Sequence, residues 1–139
     1  MKIISKTISL FMFLAFLNIA QADSYSQDEI LTIDGSIPET VNLEFSNKNN
    51  LVPKIGEFNV LSSILMSSPS GERWATVTIK NISPHQRLLD SEHIIAIFAN
   101  GERRNPIHAR HKFSSKEETT MIINFGLSKF PILKVSVRN

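Results

Sequence analysis

The stretch that decides the fold of this 139-residue chain is Trp74-Ala-Thr-Val-Thr-Ile-Lys80. Its apolar residues Ala75, Val77 and Ile79 alternate with two threonines and a lysine. Because successive side chains of a strand point to opposite faces, this alternation predicts a β-strand with one buried face and one exposed face. The turn-forming run Asn81-Ile-Ser-Pro84 ends the strand.

The same alternation recurs on both sides of this stretch and predicts further half-buried strands. Clusters of serine, asparagine, glycine and proline separate these segments, as expected for turns. The predicted inward positions are Val41, Leu43 and Phe45; Phe58, Val60, Ile64 and Met66; Met121, Ile123 and Phe125; and Leu133, Val135 and Val137.

The segment His93-Ile-Ile-Ala-Ile-Phe-Ala99 is apolar on both faces, which predicts a strand at the centre of a sheet or one under extra cover. Asn100-Gly101 follows it directly, and both residues tolerate the positive φ angles of a two-residue type I′ turn. The sequence therefore predicts a tight hairpin with its return strand over Glu102–Ile107.

These segments amount to about seven or eight short strands, with no sustained helical spacing between them. A sheet without helices to cover it must be covered by a second sheet. The sequence therefore predicts an all-β fold, namely an antiparallel immunoglobulin-like β-sandwich.

The start of the chain has the features of an export signal. Lys2 and Lys6 precede an apolar run over Ile8–Leu17, and Ala20-Gln-Ala22 supplies the small residues of a cleavage site. The apolar run is shorter than the ~20 residues that span a bilayer. We therefore expect an exported protein, periplasmic or secreted, with no membrane span after cleavage.

Cleavage divides the chain at Ala22. Residues 1–22 are the predicted signal peptide, and residues 23–139 form a single predicted sandwich domain with a polar N-terminal arm over residues 23–29. The chain has no cysteine, so in an oxidising compartment this domain depends on its apolar core alone.

The exported part is electrically neutral. Two of the 15 lysines and arginines leave with the signal, so the 13 that remain balance the 13 aspartates and glutamates. A neutral domain gives no reason to expect a nucleic acid partner. Residues 23–72 nevertheless carry a charge of −6, and residues 73–139 carry +6. These charges either pair across neighbouring strands or orient a partner.

The order of strands and turns resembles small immunoglobulin-like domains of exported bacterial proteins. The resemblance is carried by Trp74–Ser83, His93–Gly101, the polar turn Ser115–Glu118 and the last strand, Ile132–Val137. The chain is most similar to a family of short secreted bacterial proteins of unknown function. The resemblance implies the fold and the compartment, and it supplies no catalytic or binding residue.

A basic stretch after the predicted hairpin is the leading candidate for a binding surface. It contains Arg103, Arg104, Arg110 and Lys112, and arginine donates bidentate hydrogen bonds to carboxylates and phosphates. In the exported compartment this chemistry indicates another envelope protein or an acidic envelope polymer. The alternative is a solvated hairpin whose charges discourage edge-to-edge pairing of sheets.

His108 and His111 are weak candidates for a metal site. Their spacing places them on opposite faces of a strand, so they can share a metal only across a turn. No cysteine and no cluster of histidine and methionine accompanies them. We therefore expect ordinary surface histidines, with no metal and no cofactor.

The chain has no Gly-x-Ser-x-Gly elbow, no glycine-rich phosphate loop, no His-Glu-x-x-His and no cysteine nucleophile. The sequence therefore predicts an exported, non-enzymatic binding or accessory module of the bacterial envelope. Two alternatives stay open. One is a pilin-like assembly subunit whose segment over residues 23–33 is donated to a neighbour. The other is a small periplasmic metal-binding protein.

Overall fold

The computed structural model describes residues 30–35, 37–38, 41–46 and 51–139. The predicted signal peptide and polar arm lie outside the described residues. No helix in the described part is long and apolar enough to cross a membrane. The strands there are β1 (Thr32–Gly35), β2 (Phe58–Ser67), β3 (Glu72–Asn81), β4 (Arg87–Asp90), β5 (Ile94–Phe98), β6 (Arg103–Arg104), β7 (Arg110–Phe113), β8 (Glu118–Leu127) and β9 (Ile132–Val137). A 3-10 turn over Ser91–His93 lies between β4 and β5.

The strands form three sheets, with the orders β1-β2-β3-β8, β6-β5-β9 and β4-β7. Every pair of neighbouring strands is antiparallel. This confirms the prediction of an all-β, antiparallel protein. The sequence predicts about seven or eight strands, whereas the described residues form nine, of which β6 has only two residues.

β3 has the alternation that the sequence predicts. Ala75, Val77 and Ile79 are fully buried, and the strand is paired on both sides, with β2 and with β8. The inner faces of the sheets share one hydrophobic core, which consists of Phe58, Leu65, Ala75, Val77, Ile79, Leu89, Ile94, Ala96, Phe98, Ala109, Phe113, Ile123, Phe125, Ile132 and Val135.

β2 departs from its predicted inward positions because its register with β3 shifts between Val60 and Ser62. A bulge of one residue turns every later side chain to the opposite face. Leu65 is therefore buried, whereas Ile64 is 47% exposed. The prediction that Ile64 and Met66 face the core is wrong for this reason.

β9 shows the same effect, because its register with β5 shifts at Leu133. Ile132 is buried and takes the core position predicted for Leu133, which is only half-buried. Val135 and Val137 keep their predicted orientation towards the core.

The predicted strand at Val41–Phe45 does not form. A strand needs a neighbouring edge to pair with, whatever the alternation of its side chains. Within the described ranges, residues 41–45 pair with no strand.

β5 lies between β6 and β9, in agreement with its predicted central position. The turn that follows differs from the predicted type I′ turn. The N–H of Gly101 donates to the carbonyl oxygen of Phe98 at 2.8 Å, and the N–H of Phe98 donates to the carbonyl oxygen of Glu102 at 2.9 Å. The loop therefore has three residues, and within it only Gly101 has a positive φ, of 80°. Three-residue loops that end in a left-handed glycine are the next most common hairpin.

The type I′ prediction is wrong because Asn100 does not enter the left-handed region. Its side-chain oxygen instead accepts a hydrogen bond from the N–H of Glu102 at 3.1 Å, as asparagine commonly does in turns. The return strand, predicted over Glu102–Ile107, is limited to Arg103–Arg104.

Two adjacent isoleucines on β8 test the assignment of faces, since Ile123 is 1% exposed and Ile122 is 66% exposed. Ile123→Ala should lower the free energy of unfolding by about 2–5 kcal/mol, because it leaves a cavity in the core. Ile122→Ala should lower it by about 1 kcal/mol or less. Urea denaturation of both variants measures the difference, and equal losses would contradict the assigned faces.

Candidate functional site

Arg104, a predicted binding residue, is used inside the fold. Its Nη1 donates to the carbonyl oxygens of Phe125 at 3.0 Å and Leu127 at 2.9 Å. Its Nη2 lies 2.5 Å from a carboxylate oxygen of Glu102. The guanidinium also lies 4.8 Å from the centre of the Phe98 ring, within cation–π range. Arg104 therefore links β6 of one sheet to the end of β8 in another.

Arg103 also has a partner within the chain. Its Nη1 donates to the carbonyl oxygen of Leu51 at 3.3 Å. A second hydrogen bond holds the segment over Leu51–Lys54, since the N–H of Lys54 donates to the carbonyl oxygen of Glu92 at 2.8 Å. Arg103 therefore helps to position the chain that leads into β2.

Arg110 and Lys112 lie on the exposed face of β7, and the side chains between and after them turn inwards. Two residues along a strand are about 7 Å apart, so the two cations stand side by side. Neither side chain makes a hydrogen bond or an ion pair with the described part of the chain. The predicted set therefore divides into two arginines used by the fold and two cations that face solvent.

The neighbouring strand adds an apolar residue to these cations. Leu88 of β4 pairs with Lys112 and is 45% exposed, and Asp90 pairs with Arg110. We call the exposed surface formed by Leu88, Arg110 and Lys112 the β7 face. An open cleft of about 340 Å³ adjoins it and is lined by Asp90, Ser91, Glu92, His108, Ala109 and Arg110.

Lys54 lies near the acidic side of this cleft. Its ammonium group is 3.8 Å from a carboxylate oxygen of Asp90 and 3.6 Å from one of Glu92. These exposed ion pairs reduce the local negative charge. The cations of the β7 face are therefore opposed by acids that already have a partner.

The two histidines proposed as weak metal ligands have different surroundings. His108 is exposed and lines the cleft. His111 is half-buried, with its Nε2 3.3 Å from a carboxylate oxygen of Glu117 and its ring edge-on to Phe113 at 4.7 Å. Across the described ranges, no three histidine, aspartate or glutamate side chains form a group that could hold a metal ion.

Glu117 closes the turn between β7 and β8. Its carboxylate accepts hydrogen bonds from the N–H of Ser114 at 2.6 Å and from the hydroxyl of Thr119 at 2.9 Å. These contacts lower the pKa of Glu117 from 4.5 to about 2. The hydrogen bond from the Ser114 backbone is the largest cause, and those from the side chains of Thr119 and His111 follow. The sequence analysis missed this role, although the Ser-x-x-Glu spacing at 114–117 signals such a turn.

His93 was predicted to open the central strand, but it ends the 3-10 turn and is 6% exposed. The N–H of Asp90 donates to its Nδ1 at 3.1 Å, and its ring lies edge-on to Phe58 at 5.5 Å. His93 is therefore a structural residue that is not free to bind a ligand. The Asp-x-x-His spacing is the capping signal that the sequence analysis missed.

Arg104→Ala should lower the free energy of unfolding by about 1–2 kcal/mol, because two backbone carbonyls and Glu102 lose their donor. Arg103→Ala is the matched control, and it should change that energy by about 0.5 kcal/mol or less. Chemical denaturation of the two single variants measures the difference. A negligible effect of Arg104→Ala would contradict its structural role.

The lowered pKa of Glu117 predicts a loss of stability in acid. A carboxyl whose pKa is lower in the folded protein than in the unfolded chain stabilises the fold above its ordinary pKa of 4.5, and the contribution is lost as the pH falls through about 2. Glu117→Gln cannot ionise, so the difference in Tm between the wild type and this variant should shrink over that interval. Thermal melts between neutral pH and about pH 2 measure it, and Tm curves that stay parallel would contradict it.

No protein-family model matches this chain, and comparisons with curated proteins and with solved structures give no match. The resemblance to exported immunoglobulin-like proteins therefore remains a prediction.

Proposed function

We propose that this protein is an exported, non-enzymatic binding module of the bacterial envelope, and that it holds an acidic partner on the β7 face. The export signal predicted over residues 1–22 supports the compartment. The absence of catalytic sequence signatures supports a role in binding.

The fold proposed for this module is an immunoglobulin-like β-sandwich. The sheets β1-β2-β3-β8 and β6-β5-β9 contribute side chains to one core. The chain passes from the β2–β3 hairpin to β5, returns to β8 beside β3, and crosses again to β9 beside β5. Repeated crossing between two antiparallel sheets is typical of Greek-key sandwiches. Such a scaffold leaves its outer strands free for recognition.

The observation that carries the proposal is a difference between two groups of cations. Arg73, Arg87 and Arg104 each pair with a carboxylate of the same chain. Arg110 and Lys112 have no such partner within the described residues. Cations that the fold already engages stabilise it, whereas free cations on one exposed strand can bind carboxylates or phosphates.

The partner is either an acidic face of another envelope protein or an acidic envelope polymer. Exposed Leu88 beside Lys112 offers the apolar contact that protein interfaces contain at their centre. A linear polyanion needs only the two charges, which are about 7 Å apart along the strand. Leu88→Ala should therefore weaken the binding of a protein partner more than the binding of a polymer.

Binding of two defined probes tests the β7 face, with polyglutamate standing for an acidic polypeptide and polyphosphate for a phosphate polymer. Arg110→Ala with Lys112→Ala should weaken binding at low salt by about tenfold, since each exposed charge contributes about 0.5–1 kcal/mol. Lys129→Ala with Arg138→Ala removes the same charge elsewhere and should change binding by about twofold or less. Equal losses in the two double variants would show that only net charge matters.

Cross-linking from position 112 in intact cells identifies the class of partner. A single abundant protein adduct indicates an accessory module for another envelope protein, and a polysaccharide or phosphate-polymer adduct indicates the second class. If neither adduct exceeds that obtained from position 129, the β7 face is not the binding surface.

A further inference from the structure

Backbone hydrogen bonds alternate between the two sides of β8. The N–H of Asn81 donates to the carbonyl oxygen of Glu117 at 2.9 Å and continues the register of β3 with β8, so the backbone groups of odd-numbered residues face β3. On the other side, the N–H of Ile107 donates to the carbonyl oxygen of Asn124 at 2.9 Å. Since successive residues of a strand direct their backbone groups to opposite sides, those of even-numbered residues face away from β3.

The part of this outer side that precedes Asn124 is open. Glu118, Thr120 and Ile122 are exposed, and no strand of the described chain pairs with β8 on the side away from β3. Within the described ranges, no hydrogen bond reaches the outward backbone groups of Thr120 or Ile122. The open edge of β8 therefore runs over Glu118–Ile122.

β8 lacks the features that keep sheet edges from pairing, which are charged residues, bulges and short length. In the described chain, β1 has a bulge, β6 has only two residues, and β7 exposes Arg110 and Lys112. The open part of β8 instead reads Thr119-Thr-Met-Ile-Ile123, with no charge, proline or glycine. Threonine and isoleucine favour strands, so this edge is suited to accept another strand.

The one charge at the open edge is already balanced within the chain. The Nζ of Lys80 lies 2.5 Å from a carboxylate oxygen of Glu118. A strand that approaches this edge therefore meets no uncompensated charge, so an acidic or basic partner gains little there. The same neutral, threonine-rich strand is present in every other copy of this chain.

The length of the open edge also fits a second β8. At one end, Ile107 covers the edge beside Asn124. At the other end, the turn over Ser114–Glu117 leads the chain away from the edge, and Lys116 there has a φ of 59°. When two copies of β8 run antiparallel and meet at Thr120, this turn in each copy lies opposite Asn124 of the other. Neither copy then needs the covered part of the edge.

We propose that β8 pairs with β8 of a second copy about a two-fold axis at Thr120, which joins the two four-stranded sheets into one. Thr120 faces its counterpart, and Glu118 of each copy faces Ile122 of the other. These three pairs exchange about six backbone hydrogen bonds, and pairing of identical edges closes a dimer. The contact is smaller than a standard interface, so its Kd should be on the order of 100 µM.

Disulfide trapping tests the register, and the absence of native cysteine makes each engineered thiol specific. Residues that face one another in hydrogen-bonded pairs have Cα atoms about 5.5 Å apart, within the range of a disulfide. Thr120→Cys should therefore link to its counterpart at least about tenfold more than Ile122→Cys, whose counterpart is about 14 Å away. Position 122 is a strict control because Ile122 is 66% exposed on the same edge. Equal linkage at the two positions overturns the proposal, and so does an absence of linkage at position 120.

A pair of lysine variants separates edge pairing from stacking of the outer sheet faces. The hydroxyl groups of Thr78 and Thr120 are exposed and lie 2.9 Å apart on the same face. Thr120→Lys should raise the dimer Kd at least about tenfold, because two lysines would face one another at the axis. Thr78→Lys adds the same charge one strand further in, about 15 Å from its counterpart, and should change the Kd by about twofold or less.

Sedimentation equilibrium up to about 1 mM protein measures these constants, and thermal melts of dilute samples check that both variants fold. An equal loss in the two variants would assign association to the outer face and overturn the pairing of edges. An unchanged Kd in Thr120→Lys, or a wild type that stays monomeric throughout, would overturn it too. This inference does not depend on the β7 face, since Arg110→Ala with Lys112→Ala should leave the dimer Kd unchanged. The two proposals can therefore fail separately.

Discussion

The burial of β3 between two paired neighbours is the constraint on which the rest of the structure depends. Ala75, Val77 and Ile79 have no exposure, and β2 and β8 are hydrogen-bonded to opposite edges of the same strand. A strand fixed on both edges determines which face of each neighbour points to the core. The second sheet then closes that face with β5 and β9, whose inner residues belong to the same hydrophobic cluster.

Polar side chains secure the regions that the core does not reach, in a chain that has no cysteine. Fully buried Asn81 donates from its amide to the carbonyl oxygens of His85 and Ser114, both at 2.8 Å. Arg104 links β6 to β8, and Glu117 closes the turn before β8. Asn81 thus joins the end of β3 to two loops, Arg104 joins strands of two sheets, and Glu117 joins the two ends of one turn. The cations left outside this network are the ones available to a partner.

The β7 face lies on the small β4-β7 sheet, apart from the two larger sheets that contribute most of the core. Its cations lie on one exposed strand. A substitution at this surface therefore leaves the core packing unchanged.

The sequence alone determined the all-β class, the core face of β3 and the central position of β5, since side-chain alternation reflects only the local pleat of a strand. It could not determine the inward residues of β2, because a bulge depends on the register with β3. Nor could it separate Arg104 from Arg110, which are equally basic in the sequence. The carbonyls that bind Arg104 lie 21 and 23 residues away. Only the tertiary structure brings those acceptors to one arginine and leaves the other facing solvent.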